Sequence, residues 1–458
     1  MAERSKPDRA AERPGGGWST DGLSYLQNKI ARQRVFVFHP YVRDGHAKGL
    51  RRTPEARLDE AMGLAEAIRV DLVGGEAIAL RDIKPATYLG RGKLVDIKAQ
   101  VAQQELDLLV FDCELTPIQQ RNLERELHVK VIDRTALILE IFGDRASTKE
   151  GELQVELAHL VYQRSRLVRS WTHLERQRGG SGFLGGPGET QIEADRRIIA
   201  DRITKIRRQL EGVTRTRALH RARRQKAPYP IVALVGYTNA GKSTLFNQLS
   251  DADVMAEDML FATLDPTLRS IKMPSGRKAI LSDTVGFISE LPTMLIAAFR
   301  ATLEEVLEAD IIVHVRDASH TDSEIQKQDV IDVLCELGVD IDDSDSSTPV
   351  IEALNKTDMI SGSKLDALKM HAERHSECVP ISSLTGTGCA ELIEKIDALL
   401  GAKDQHVKKL VPYADGATQS WIHSNTKLLD QVHEDEGIRF TFVVDPVIWA
   451  KFCSRSSH

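Results

Sequence analysis

Four short segments of this chain hold residue types at spacings suited to handling a nucleoside triphosphate. Ile231-Val232-Ala233-Leu234-Val235 runs into Gly236-Tyr237-Thr238-Asn239-Ala240-Gly241-Lys242-Ser243, a G-x-x-x-x-G-K-S between an apolar strand and a helix. Glycines there let the backbone wrap around phosphates with its N–H groups inward, and the helix N-terminus adds the positive end of its dipole. Lys242 is placed to bridge the outer phosphates and Ser243 to ligate Mg²⁺. A chance glycine-rich turn fits the same pattern, so the companions decide. Leu281-Ser282-Asp283-Thr284-Val285-Gly286 is an apolar strand ending in D-x-x-G. Asp283 would reach Mg²⁺ through water, and the Gly286 N–H would meet the γ-phosphate. Val350 to Leu354 leads into Asn355-Lys356-Thr357-Asp358. An aspartate at this place accepts hydrogen bonds from both the ring N–H and the exocyclic amine of guanine. Adenine offers no such pair of donors, so the motif selects GTP over ATP, with Lys356 along the base and ribose. Ser382-Ser383-Leu384 follows the last strand, where backbone N–H groups can meet the guanine oxygen. Four motifs in one order, each at a strand end, exclude coincidence.

Between the first two lies Phe261-Ala262-Thr263-Leu264-Asp265-Pro266-Thr267. A GTPase needs a threonine here to close on Mg²⁺ and the γ-phosphate, in a loop that orders with GTP and relaxes with GDP. Thr263 and Thr267 both qualify by spacing. Asn239 has two readings of equal standing: its side-chain oxygen helps ligate K⁺ beside the phosphates, or it only braces the loop. The position after Gly286, where many regulatory GTPases carry a water-orienting glutamine, is Phe287, which has no hydrogen bond to offer.

The elements that must position these residues follow from periodicity. Strands at 231–235, 279–283, 311–315, 350–354 and 379–381, with helical patterns between, predict a doubly wound α/β domain over 228–402, entered at Pro228 and Pro230. Upstream, strands at 35–38, 108–111 and 129–132 alternate with helices at 55–69 and 117–127, which predicts a small α/β domain over 21–145 with a mainly parallel sheet. Two long helices, 149–176 and 190–225, fall between. Leu153, Leu157, Leu160, Arg164 and Leu167 of the first and Ile199, Ile203, Ile206, Leu210 and Val213 of the second repeat every three or four residues, a coiled-coil seam. The connecting stretch from Gly179 to Gly188 holds six glycines and Pro187, which argues against helix throughout it. The expected unit is an antiparallel hairpin over 146–227. Residues 1–20 read as a disordered tail and 403–458 as a small C-terminal α/β segment.

Composition narrows the classes. Of the 458 residues, 41 % are apolar and 28 % charged, enough for ordinary cores. No apolar run approaches the ~18 residues of a membrane span, and the N-terminus lacks a secretory core, so no stable membrane insertion is expected. The five cysteines are far apart and form no C-x-x-C, which fits a reducing cytosol rather than disulfides or structural zinc. Net charge is −6, yet the hairpin segment carries +9 and the 228–402 segment −16. The hairpin is therefore the part suited to a polyanion.

From about residue 34 to 400 the chain resembles the HflX-type translational GTPases. Gly90-Arg91-Gly92-Lys93, Leu115-Thr116-Pro117-Ile118-Gln119, Val131-Ile132-Asp133-Arg134-Thr135 and Gly186-Pro187-Gly188-Glu189-Thr190-Gln191-Ile192-Glu193, followed by Asp195-Arg196-Arg197, look like that family's motifs. Gly186 departs from the arginine common there. The resemblance implies Thr263 as the switch threonine that ligates Mg²⁺ with Ser243. It also implies a cytosolic GTPase; a monomer, peripheral to the membrane at most, is expected. Such a protein binds the large ribosomal subunit and its rRNA and splits stalled or hibernating ribosomes under stress. The Gly-rich loop would reach towards the peptidyl-transferase region. Two other readings keep the nucleotide chemistry: a GTPase of RNA processing, and a protein-interaction switch acting through the hairpin. Gly90 to Lys93 reads either as a second phosphate-binding turn or, preferably, as a structural strand-to-helix turn.

Overall fold

The computed structural model describes residues 33–42, 52–68, 70–177, 187–224, 229–250, 261, 267–289, 306–339, 348–402, 404–444, 449–450 and 452–453. Within these, the side chains of 168–177, 187–192, 214 and 216–224 are left aside. The first unit holds β1 (Arg34–Val42), α1 (Pro54–Glu66), β2 (Asp71–Leu80), α2 (Arg91–Gln104), β3 (Leu108–Phe111), α3 (Pro117–Leu127), β4 (Lys130–Asp133) and α4 (Arg134–Arg145). Its sheet has the order β2-β1-β3-β4, parallel throughout. Alternation along β1 sends Val35 and Val37 to one apolar layer and Phe36 and Phe38 to the other, as a strand covered on both faces requires. Helix starts follow local chemistry. Thr53 Oγ1 accepts from the Ala56 N–H at the head of α1, and Thr116 and Gln119 form a reciprocal capping box on α3, with Pro54 and Pro117 in the first turn.

Asp133-Arg134 is a junction. The Asp133 carboxylate caps α4 through the Ala136 N–H and accepts from the Tyr162 hydroxyl and Arg166 of the next helix. That helix, α5 (Lys149–Gln177), and α6 (Pro187–Arg224) form the hairpin, with the Arg202 guanidinium bidentate on Glu156. The expected seam is present in α6, where Ile199, Ile203 and Ile206 are buried. In α5 the more deeply buried stripe includes Val155, Ala158 and Tyr162, which enter the core of the first unit. One expectation is corrected: Pro187 and Gly188 belong to α6 and not to the connector. Proline is tolerated at a helix start, where its missing N–H has no partner to lose. The rest of the Gly-rich connector lies outside the described residues, as do the tail at 1–20 and the acidic stretch 340–347.

The third unit holds β5 (Ile231–Gly236), α7 (Lys242–Ser250), β6 (Thr267–Lys272), β7 (Lys278–Asp283), β8 (Ile311–Asp317), α8 (Ser323–Glu336), β9 (Val350–Asn355), α9 (Ser363–Arg374), β10 (Cys378–Pro380) and α10 (Cys389–Gly401). The sheet order is β10-β9-β8-β5-β7-β6, parallel except for β6. The fold class is thus α/β with a doubly wound, mainly parallel sheet, preceded by a small α/β unit and a helical hairpin. Last come β11 (Gln405–Val411), α11 (Gly416–Asn425), β12 (Lys427–Glu434) and β13 (Gly437–Val444), an antiparallel sheet of order β11-β13-β12 with its own core of Val411, Ile422, Phe440, Phe442 and Val444. By contrast, one apolar layer runs from Val35, Ala61 and Phe142 of the first unit into Val235, Phe261 and Phe287 of the third.

Candidate nucleotide site

Each of the four nucleotide motifs lies at the C-terminal end of a parallel strand or in the loop beyond it, where doubly wound sheets bind ligands. Gly236 ends β5 so close to β8 that a Cβ would stand 2.2 Å from the Val315 carbonyl oxygen. Gly241, at φ 91°, would put a Cβ 2.3 Å from Asn355 Nδ2. Both positions therefore exclude a side chain, and the loop can curl tightly onto the N-terminus of α7. Asn239 adopts the left-handed conformation at φ 58°. The buried Lys242 ammonium donates to the carbonyl oxygens of Gly236 (3.1 Å) and Tyr237 (2.8 Å). Burial pulls its pKa down to about 8, with Asp283 acting in the opposite direction.

Ser243 Oγ donates to Asp283 Oδ2 at 2.7 Å. A hydroxyl beside a carboxylate is a hard-oxygen pair of the kind Mg²⁺ takes together with phosphate oxygens. Thr238 Oγ1 is buried without a hydrogen-bond partner among the described residues, and a Cβ on Gly286 would lie 2.9 Å from Thr238 Cα and 3.1 Å from Lys242 Nζ. An orphaned hydroxyl next to a glycine packed against the loop fits a phosphate cradle. Thr284 Oγ1 donates to the Leu234 carbonyl, Thr238 N–H to Phe287 O, and Phe287 N–H to Gly236 O. The segment from Thr284 to Phe287, through Val285 and Gly286, is thereby laced to the phosphate loop. Phe287 is buried at 1 % exposure in the apolar layer shared with the first unit.

On the base side, Asn355 is fully buried. Its Nδ2 donates to the Ala240 carbonyl (2.8 Å) and its Oδ1 accepts from the Ser383 N–H (2.9 Å), which joins the third motif to the first and fourth. Thr357 Oγ1 donates to Ile381 O, and Ser382 Oγ donates to Asp358 Oδ1 at 2.6 Å. Lys356, at φ 64°, pairs with Asp317 Oδ2 at 2.8 Å. Burial opposes ionisation of Asp317, but Lys356 and Ser319 hold its carboxyl below the usual range. Leu384 is exposed.

Ala262, Thr263, Leu264 and Asp265 lie outside the described residues. Their neighbour Phe261 meets Phe142 of α4 edge-on, with ring centroids 4.7 Å apart. Thr267, the other threonine allowed by spacing, begins β6 opposite Asp283. In the first unit, Gly90 opens α2 and the Lys93 ammonium is paired with Glu76 at 2.6 Å. Sequence reasoning missed three residues that touch the phosphate side from that unit: Arg52, Glu60 and Arg134. Only Arg134 carried a signal, through its place in Val131 to Thr135.

A phosphate loop after the central strand, a D-x-x-G on the neighbouring strand and an N-K-x-D at the base side define a P-loop GTPase. Family models match accordingly: residues 55–143 match the GTP-binding GTPase N-terminal family, 145–224 the GTP-binding GTPase middle region, and 231–356 the 50S ribosome-binding GTPase family. The GTPase HflX of Magnetococcus marinus is 47 % identical over 387 residues, 84 % of this chain and 87 % of the relative. That of Escherichia coli is 42 % identical over 377 residues, covering 81 % and 85 %. Among solved structures, a GTP-binding protein from the hyperthermophilic archaeon Sulfolobus solfataricus in complex with GDP is similar at 26 % identity. That likeness covers 80 % of this chain and 98 % of the other, with a TM-score of 0.43. The chain belongs to the HflX family of GTPases. Among the described residues, no helix is long and apolar enough to cross a membrane.

Proposed function

We propose that this chain is a cytoplasmic GTPase whose catalysis is completed by the large ribosomal subunit, and that it splits stalled or hibernating ribosomes under stress. The observation that carries the reading is the burial of Phe287. The residue after D-x-x-G is locked in an apolar layer and offers no polar contact to an attacking water. Water must be oriented from elsewhere, and the family description of residues 231–356 names a 50S partner.

The chemistry adds water to the γ-phosphorus and releases GDP as leaving group. Lys242 gives up its bonds to the Gly236 and Tyr237 carbonyls and donates to phosphate oxygens, countering the charge that builds there. The Gly286 N–H and Thr238 hydroxyl donate to the same oxygens. Ser243 and Thr263 would hold Mg²⁺ directly and Asp283 through water. That ion would supply charge neutralisation at the phosphates. Asp358, oriented by Ser382, accepts from the guanine ring N–H and amine. The basic hairpin meets rRNA phosphates and the acidic GTPase unit stays off them. A K⁺ held by Asn239 beside the phosphates would add to the same stabilisation, and turnover in KCl exceeding that in NaCl supports it.

Two measurements test the reading. Free protein should hydrolyse GTP at ~10⁻⁴–10⁻² s⁻¹ in single turnover, with strong acceleration by purified large subunits. On sucrose gradients, GTP and protein should convert intact ribosomes into subunits. Fast unassisted hydrolysis, or an unchanged ribosome profile, rejects it.

A further inference from the structure

The phosphate loop is held by its second residue from outside the GTPase unit. The Tyr237 hydroxyl, 4 % exposed as a residue, uses all its capacity. It donates to Glu60 Oε2 of α1, and it accepts from Arg52 Nη1 and from the Ser289 N–H, both at 2.9 Å. Glu60 is saturated in turn. Its Oε1 accepts from Arg134 Nη2 (2.7 Å) and Ser289 Oγ (3.1 Å), and its Oε2 from Tyr237 and Arg52. Arg52 continues to Asp329 of α8 and stacks over the Tyr237 ring at 4.8 Å, while Arg134 continues to Asp112 and to the Ser289 carbonyl. Two guanidiniums and a carboxylate from the first unit are therefore taken out of water on one tyrosine and one serine of the third.

Removing charges from water is costly unless each finds its partners; here Arg52, Arg134, Glu60 and Asp112 pair among themselves, and Tyr237, Ser289 and Asp329 complete the set from across the unit boundary. Their position matters. Tyr237 also presents its carbonyl to the Lys242 ammonium, and Ser289 stands three residues after Gly286. In the free protein the hydroxyl of this one residue faces the first unit while its carbonyl faces Lys242, which places the tie on the phosphate loop itself. A second contact nearby, Phe142 on Phe261, reaches the chain just before Ala262 and Thr263.

We propose that Tyr237, Glu60 and Arg52 form a positioning device through which the N-terminal unit stiffens the phosphate loop, so that guanine-nucleotide affinity is set partly from outside the GTPase unit. The proposal rests on the nucleotide site but not on any ribosomal partner. A loop fixed before binding loses less conformational freedom when phosphates arrive, so cutting the tie speeds nucleotide loss.

The test measures dissociation of fluorescent GDP from full-length protein, chased with excess GDP well below the melting temperature. Tyr237→Phe keeps the ring and its packing and removes the hydroxyl. It should release GDP about tenfold faster, as loss of hydrogen bonds to charged groups implies. Glu60→Gln should act in the same direction, and the double variant should exceed neither single by much, because both cut one device. Phe440→Leu, in the separate C-terminal core, serves as the destabilised control and should release GDP at the parental rate. Unchanged release in both single variants overturns the proposal, as does equal acceleration in the control or full multiplicativity of the two substitutions. Parental protein that binds no GDP would instead reject the nucleotide site itself.

Discussion

The base side and the phosphate side of the site are built differently. The base side is self-contained: Asn355 bonds Ser383 and the Ala240 carbonyl, Thr357 the Ile381 carbonyl, Ser382 the Asp358 carboxylate and Lys356 the Asp317 carboxylate, all within the GTPase unit. The phosphate side leans on another unit through buried charges, with Glu60 and Arg52 on Tyr237 and Arg134 on Ser289. Base identity never changes during turnover, so a closed rigid pocket suits it. The γ-phosphate comes and goes, and the loop proposed to bind it is the part in contact with the first unit.

The boundary between the two sides is Gly241, and breaking it should have the largest effect. Gly241→Ala drives a Cβ onto Asn355 Nδ2 from a backbone conformation that side chains rarely adopt. Both sides should fail together, with GTP and GDP affinity down by about a hundredfold or more in calorimetric titration. Near-parental affinity would mean that the two sides are independent at this glycine. Asp358→Asn acts on the base side alone. Removing the acceptor of two donors costs ~1.5–3 kcal/mol, roughly ten- to a hundredfold in GTP affinity, and xanthosine nucleotides should gain. ITP sharpens the contrast, since it lacks the exocyclic amine. Asp358→Asn should shrink the GTP-to-ITP ratio, whereas Tyr237→Phe should weaken both nucleotides alike.

A smaller effect lies in pH. Lys242 titrates at about 8 in the free protein because burial disfavours its charge, and arriving phosphates raise that value. Below pH 8 the ammonium is present in free and bound states and its contribution to affinity is flat. Above it, binding must take up a proton, so affinity falls as pH rises, by up to about tenfold per unit. Titrations above pH 8 in buffers of different ionisation enthalpy should report proton uptake on binding. No uptake would mean that Lys242 stays charged in the free protein.

Much of this was legible in the sequence because each nucleotide motif is contiguous: strand, loop and helix start sit within about ten residues, and local chemistry sets their geometry. The ties from the first unit were not. Glu60 and Tyr237 are 177 residues apart, and a glutamate in a polar helix reads as a solvated face until its partners are known. β2 does not show in the sequence, because Gly74 and Gly75 break its apolar pattern. Gly75 is required by its neighbour, since a Cβ there would meet Met62 Sδ at 2.8 Å. α4 shows no helical period, because Leu137, Ile138, Leu139, Ile141 and Phe142 are all buried and leave no polar face to give one. Proline read as a breaker hid the true start of α6, where it is an initiator.

The apolar layer from Val35 through Phe142 to Phe261 and Phe287 has a thermodynamic consequence. Two units that share one core cannot melt one at a time, because unfolding either exposes the apolar face of the other. Among the described residues the C-terminal sheet shares no core residue with them, and the GTPase unit reaches it through a polar contact, Arg277 on Asp404 just before β11. Calorimetry of the whole chain should therefore show one large endotherm for the first and third units together and a separate small one for the last sheet. Guanine nucleotide should move the large transition upward and leave the small one in place.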